Sequence, residues 1–165
     1  MLELVISPNE RTQLMVYTHD GKKLWKWIKK RKGEGIIAKH RESPYLPHRS
    51  KFWLKIKTVQ SIDAVIVGYS KRKRSLALGL KADGWVHIGN VGSGLKEKEY
   101  YELVEQLTPH QKTIMLPPSI QQVKPTLVCE VQFLQVTKDK KLRAPVFLHL
   151  RHDKKPAECT FEQLP

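Results

Sequence analysis

Acidic residues are scarce in this chain. Its 165 residues include 16 Asp and Glu against 30 Lys and Arg, a formal charge of +14. Such an excess calls for a polyanionic partner, nucleic acid first and an anionic membrane surface second. Long apolar runs are missing, as is a basic amphipathic helix with a full apolar face, and this argues against a membrane partner. Residues 1–8 have neither the basic region nor the apolar length of a signal peptide. Cysteine is nearly absent. Cys129 and Cys159 lie far apart and read as reduced thiols of a cytosolic protein, not as a disulfide. The scattered histidines give no Ser-His-Asp set that can be argued, and His149 and His152 with the single Cys159 make a poor zinc site. Residues Gly89 to Gly94 lack the order and the following Lys-Ser/Thr of a phosphate loop, and read as a strand-to-helix turn.

What the chain does hold is a carboxylate and an alternating lysine pair. Glu34-Gly35-Ile36-Ile37-Ala38-Lys39 is followed by Trp53-Leu54-Lys55-Ile56-Lys57. On an extended strand, side chains two apart share a face, so Lys55 and Lys57 point one way and Leu54 and Ile56 point into a core. Neighbouring ammonium groups repel unless an anion sits between them, and a phosphate is the natural choice. A carboxylate close by would offer a divalent metal a place beside the same phosphate. That is nucleotide chemistry.

The pattern along the chain predicts two parts, residues 1–58 and 59–165. In the first, Thr12–Thr18 alternates as a strand. His19-Asp20-Gly21 can start a helix over Lys22–Lys32, with Leu24, Trp25, Trp27 and Ile28 at helical spacing. Gly33 and Gly35 break it, Ile36–Lys39 is a short strand, the Pro-containing His40–Lys51 is a loop, and Phe52–Lys57 is the next strand. In the second part, Ile62–Tyr69, Ser75–Lys81 and Trp85–Val91 read as strands, separated by the basic run Lys71-Arg72-Lys73-Arg74 and the Asp83-Gly84 turn. Glu97–Leu107 is a helix with Tyr100, Tyr101, Leu103, Val104 and Leu107 on its apolar side. Pro117 to Pro125 is a connector, and Thr126–Val136 and Ala144–Leu150 are strands. Short strands around one helix suit a small closed barrel of the oligonucleotide/oligosaccharide-binding (OB) type.

Glu34-Gly35-Ile36-Ile37-Ala38-Lys39, Lys55-Ile56-Lys57 and Arg151-His152-Asp153-Lys154 resemble, in order, the fourth, fifth and sixth motifs of the ATP-dependent DNA ligases, members of the covalent nucleotidyltransferases. The flanks Ser43-Pro44-Tyr45, Arg49-Ser50, Lys124-Pro125 through Glu130-Val131, and Leu142 through Leu148 are similar to the bacterial end-joining ligases. The resemblance implies an α+β fold: the C-terminal portion of an ATP-grasp-like adenylation domain followed by an OB-fold β-barrel. It implies ATP and Mg²⁺ as cofactors, DNA as partner, a Ku-like end-binding protein as a further partner, and a cytoplasmic, nucleoid-associated location in a bacterium. Glu34 would place the metal beside the α-phosphate. Lys55 and Lys57 would neutralise that phosphate during transfer. Arg151 and Lys154 would hold the β- and γ-phosphates, with Asp153 assisting. Lys39 and Arg49 would make generic phosphate contacts, and Lys71, Arg72, Lys73 and Arg74 would touch the DNA backbone. Surface charge without a ligand is the competing reading for each.

Covalent transfer needs a nucleophilic lysine, which in this family lies in a Lys-x-Asp-Gly motif upstream of the fourth motif. Lys81-Ala82-Asp83-Gly84 matches the letters but follows the fifth motif and falls at a hairpin turn, so it is rejected as the nucleophile. The family's third motif is absent as well. The expectation is therefore that the missing half of the adenylation domain is a further partner, and that Trp25, Trp27 and Ile36 belong to apolar surface it would cover. Two other readings compete with ligation. One is a non-catalytic OB-fold DNA-binding module, and the other is an RNA ligase or capping-type nucleotidyltransferase.

Overall fold

The structure is a computed structural model and describes residue 7 and residues 9–15, 17–111 and 113–164. Residues 1–6 and residue 8, which carry the signal-peptide reading, lie outside that set, as does Val16. The chain forms two compact units, Met1–Thr58 and Val59–Pro165.

In the first unit, helix α1 spans Gly21–Lys30. Asp20 caps it, its carboxylate accepting from the Lys23 N–H at 2.9 Å. Lys29 and Lys30 in the last turn complement the helix dipole. Strands β1 (Gly35–Lys39) and β2 (Trp53–Lys57) pair antiparallel, with Ile36 opposite Ile56 and Ile37 opposite Lys55. Thr58 fastens the start of the hairpin: its hydroxyl donates to the Gly33 carbonyl at 2.5 Å and its N–H to the Glu34 carbonyl at 2.9 Å. At the other end the His40 N–H donates to the Phe52 carbonyl. Two expectations fail here. Thr12–Thr18 forms no strand among its described residues. Thr12 makes only an isolated bridge to Asn9, because no partner strand is available to satisfy the segment's backbone groups. Leu54 and Ile56 do not enter a core either, being 58% and 40% exposed. Helix α1 contacts β1, and Ile36 and Ala38 on that face are half-buried, but this cover does not extend over Leu54 and Ile56.

The second unit is built on strands β3 (Gln60–Ser70), β4 (Ser75–Lys81), β5 (Trp85–Val91), β6 (Gln121–Gln122), β7 (Val128–Phe133), β8 (Gln135–Val136), β9 (Leu142–Arg143) and β10 (Val146–Leu150), with helix α2 at Glu97–Glu105. The main sheet runs β10-β7-β3-β4-β5, with β6 beside β3, and β8 pairs β9 separately. Val65, Ile66, Val67, Leu76, Leu78, Leu80, Ile88 and Val131 are fully buried, each removing apolar surface worth about 1.5–3 kcal/mol. β3 is buried along consecutive residues because both its faces are covered. At Gly68 an added Cβ would run into Ile120 of the segment before β6. That segment, expected to be a plain connector, thus carries a strand and part of the core.

Tyr101 departs from the expected apolar side of α2 and is 47% exposed, whereas Tyr100 is buried and donates its hydroxyl to the Ser70 carbonyl at 3.0 Å. Adjacent helical residues point about 100° apart, so both tyrosines cannot face the core. The barrel is also not a closed ladder. Among the described residues, the two edges of the main sheet approach at an isolated bridge of Ser93, just past β5, with Val146 of β10, where the Phe147 N–H donates to the Ser93 carbonyl at 2.9 Å. Beyond Val91 the chain turns off toward α2 through Gly94, whose φ of +89 and lack of a Cβ let it lie against the Phe147 carbonyl. Both cysteines are free and buried. Burial pushes both thiols up, Cys159 to about 11. Among the described residues no helix is long and apolar enough to cross a membrane.

Candidate functional site

Strand geometry decides what the first unit can offer. Cross-strand pairing of Ile37 with Lys55, Gly35 with Lys57 and Lys39 with Trp53 places these side chains on one face, and Ile36, Ala38, Leu54 and Ile56 on the other. Lys55 and Lys57 therefore share a face, as the alternation required. The Glu34 carboxylate lies 3.2 Å from the Lys55 ammonium. Gly35 makes that reach possible: its φ is +148, and a Cβ there would overlap the Ile56 carbonyl oxygen. Both charges are about half exposed, so the pair adds little to stability and is open to an incoming anion. Lys39 packs its ammonium 3.9 Å from the Trp53 ring centre, and the Trp53 indole N–H donates to the Ser43 hydroxyl at 3.3 Å. Arg49 is exposed on the loop between the strands.

The Arg151 region lies in the second unit and is built differently. Arg151 follows β10, its N–H donating to the Val128 carbonyl at 2.8 Å. Its guanidinium makes a bidentate pair with Asp153, Nε to Oδ1 at 2.9 Å and Nη2 to Oδ2 at 2.8 Å. Nη1 donates to Asp63 Oδ1 at 3.0 Å and lies 3.9 Å from Glu130 Oε2. Hydrogen bonding to Asp153, followed by the charges of Asp63, Asp153 and Glu130, holds the guanidinium charged far beyond its ordinary range, and Arg151 in turn holds the Asp153 carboxyl well below the usual carboxylate range. Lys154 is exposed beside this group. Sequence reasoning did not select Asp63 or Glu130, although each is an isolated acid within an apolar strand, and such a residue needs a partner.

The basic run forms the turn between β3 and β4. Arg74, at φ +45, pairs with Glu97 of α2 at 2.8 Å. Lys71 and Arg72 border an open depression of about 460 Å³ that is also lined by Tyr69, Pro118, Ser119 and Gln121. Lys81 ends β4, its N–H bonded to the Cys159 carbonyl at 2.7 Å and its ammonium 5.3 Å from the Trp85 ring centre.

Residues 68–154 match the family of the ATP dependent DNA ligase C terminal region. The chain belongs to the ATP-dependent DNA ligases. The multifunctional non-homologous end joining DNA repair protein LigD of Mycobacterium tuberculosis is 33% identical over 180 residues, covering 98% of this chain and 24% of that protein. A DNA ligase of Thermococcus onnurineus is 32% identical over 79% of this chain and 26% of its own length. This ligase segment thus spans about a quarter of the curated relatives it matches. Among solved structures, the ligase domain of M. tuberculosis LigD superposes with a TM-score of 0.60 at 34% identity, covering 87% of this chain and 51% of that domain. A mycobacterial DNA ligase D complexed with ATP and MES gives 0.58 at 35% identity, over 86% and 51%. The α+β arrangement, a nucleotidyltransferase segment followed by an OB-fold-like domain, is that of these ligase domains.

Proposed function

We propose that this chain supplies the phosphate-neutralising strands and the OB-fold domain of a DNA-joining enzyme. Residues 1–58 are the second half of the adenylation domain and residues 59–165 the OB-fold domain. ATP provides the adenylate, which passes to a DNA 5′-phosphate before a 3′-hydroxyl displaces AMP. The observation that carries the reading is the Glu34 carboxylate 3.2 Å from the Lys55 ammonium with Lys57 on the same face. Two cations aimed at one place stabilise charge that grows on a phosphate in the transition state.

Mg²⁺ is usually bound by one or two carboxylates, with waters and substrate phosphates completing its shell. Glu34 supplies one such carboxylate, and among the described residues no group of three or more Asp, Glu, His or Cys is placed to hold a metal ion by itself. Glu34 fits a shared site of that kind, where the ion would add Lewis-acid polarisation of the phosphate. Arg151 and Lys154 bind the outer phosphates, Asp153 tunes Arg151, and Lys39, Arg49 and the Lys71, Arg72, Lys73 and Arg74 run contact nucleotide or DNA phosphates. The kinship to LigD makes end joining, with a Ku-like end-binding partner and a position at the nucleoid, the setting that fits best.

Mixing this chain with a separately made polypeptide covering the other half of the ligase domain tests the proposal. Nick sealing should appear with ATP and magnesium, and Lys55→Ala or Lys57→Ala should each lower it about a hundredfold. Salt-sensitive duplex binding without sealing would favour a non-catalytic DNA-binding module instead. The chain alone should take no covalent label from radioactive ATP. Labelling that Lys81→Ala abolishes would restore Lys81-Ala82-Asp83-Gly84 as the nucleophile motif.

A further inference from the structure

Asp63 and Glu130 face each other across the β3–β7 ladder, and Glu130 also faces His149 of β10, whose Nε2 lies 3.5 Å from its Oε2. Like charges directly opposite on a sheet repel, and both carboxylates are largely shielded from water, their side chains 15% and 22% exposed. The Arg151 Nη1 sits between them. Asp63 is itself fixed from a distance: Gln163 donates its amide to the Asp63 carbonyl and accepts from the Asp63 N–H, both at 3.2 Å. One end of the guanidinium is thus clamped to the sheet. The opposite edge, Nε with Nη2, carries a bidentate carboxylate from Asp153, whose side chain is 65% exposed. Bidentate carboxylate and bidentate phosphate use the same donor fork.

We infer that Asp63 and Glu130 are positioning residues that clamp Arg151 by Nη1, so that its Nε–Nη2 edge is the anion-binding edge and Asp153 is an exchangeable occupant of it. The inference rests on the proposed role of Arg151 toward the outer phosphates. An incoming polyphosphate displaces a surface carboxylate from a fork that is already oriented, and the clamp stays in place.

Simple electrostatics makes the opposite prediction for the clamp. Removing an acid next to Arg151 leaves the region more positive, which by charge alone would tighten an anion. Positioning requires it to loosen. The test is a titration of the full chain with inorganic pyrophosphate, followed at the Arg151 Nε–H resonance so that binding elsewhere on the basic surface is not counted. Asp63→Ala should weaken binding about tenfold, and Asp63→Asn, which keeps an acceptor for Nη1, should recover most of it. Glu130→Gln should have a smaller effect in the same direction, and Asp153→Asn should tighten binding. Tightening or no change in Asp63→Ala at an unchanged melting temperature would overturn the clamp. If Asp63→Ala fails to fold, Glu130→Gln carries the test: weaker pyrophosphate binding supports the clamp and unchanged or tighter binding overturns it, while unchanged affinity in Asp153→Asn overturns the exchange. The functional reading fails separately, if Arg151→Ala leaves sealing in the two-polypeptide assay unimpaired.

Discussion

His87 shows how a single side chain can make this protein sensitive to acid. Its Nδ1 lies 3.2 Å from the Lys141 ammonium and its Nε2 3.1 Å from Asn90 Oδ1, while Lys141 also donates to the His87 carbonyl. An ammonium can only donate, so Nδ1 accepts and the Nε2–H is given to Asn90. Burial, opposed by the hydrogen bond to Asn90 and reinforced by the charge of Lys141, lowers the His87 pKa from its ordinary 6.5. Between the folded value and 6.5 the unfolded chain binds more protons, so stability is full above that window and declines as pH falls through it. Melting temperature should drop on acidification from pH 7 toward 5, and His87→Gln should flatten that dependence. An equal slope in the variant would assign the acid sensitivity elsewhere. None of this was legible in the sequence, because the contact joins residues that only the fold brings together. Asp63 and Glu130 were half legible. An acid isolated in an apolar strand demands a partner, but nothing in the chain says that one arginine serves both.

Elements were more readable than their packing. Ser75–Lys81 and Trp85–Val91 match their expected limits, since runs bounded by a basic turn and by Asp-Gly carry their own punctuation. The strand Gln121–Gln122 was missed: it is two residues long, next to prolines, and exists through pairing with Gly68 and Tyr69. Similarly, Leu54 and Ile56 read as core because alternation reports which side chains share a face, not whether that face is covered. The seam at Gly94 gives a direct test at this scale. Gly94→Ala places a Cβ against the Phe147 carbonyl at a φ that disfavours side chains, and should destabilise the second unit by about 2 kcal/mol, read as a lowered denaturation midpoint. Gly84→Ala, where an added Cβ meets nothing within 4 Å, is the control.

Across the whole molecule, stability is divided unevenly between the units. The second encloses the continuous core, whereas the first leaves Ile37, Leu54 and Ile56 at least 40% exposed and Trp27 49% exposed. Trp25 and Ile36, expected in the uncovered surface, are only half-buried. A hydrophobic dye should therefore bind the full chain, and adding the complementary half of the ligase domain should suppress the signal. Persistent dye fluorescence in a sealing-competent mixture would place the complementary half on some other surface.

The two-stranded ladder of Gly35–Lys39 with Trp53–Lys57 has a further consequence. Only half of each strand's amides can point at the other, so the outward-facing ones meet solvent within this unit. In heavy water those amides should take up deuterium almost at once, while Val65 and Leu78, deep in the second unit, should keep their protons until global unfolding. Slowed uptake at Ile37 or Lys55, whose amides point away from the partner strand, would report, on reconstitution, a new strand laid along that edge.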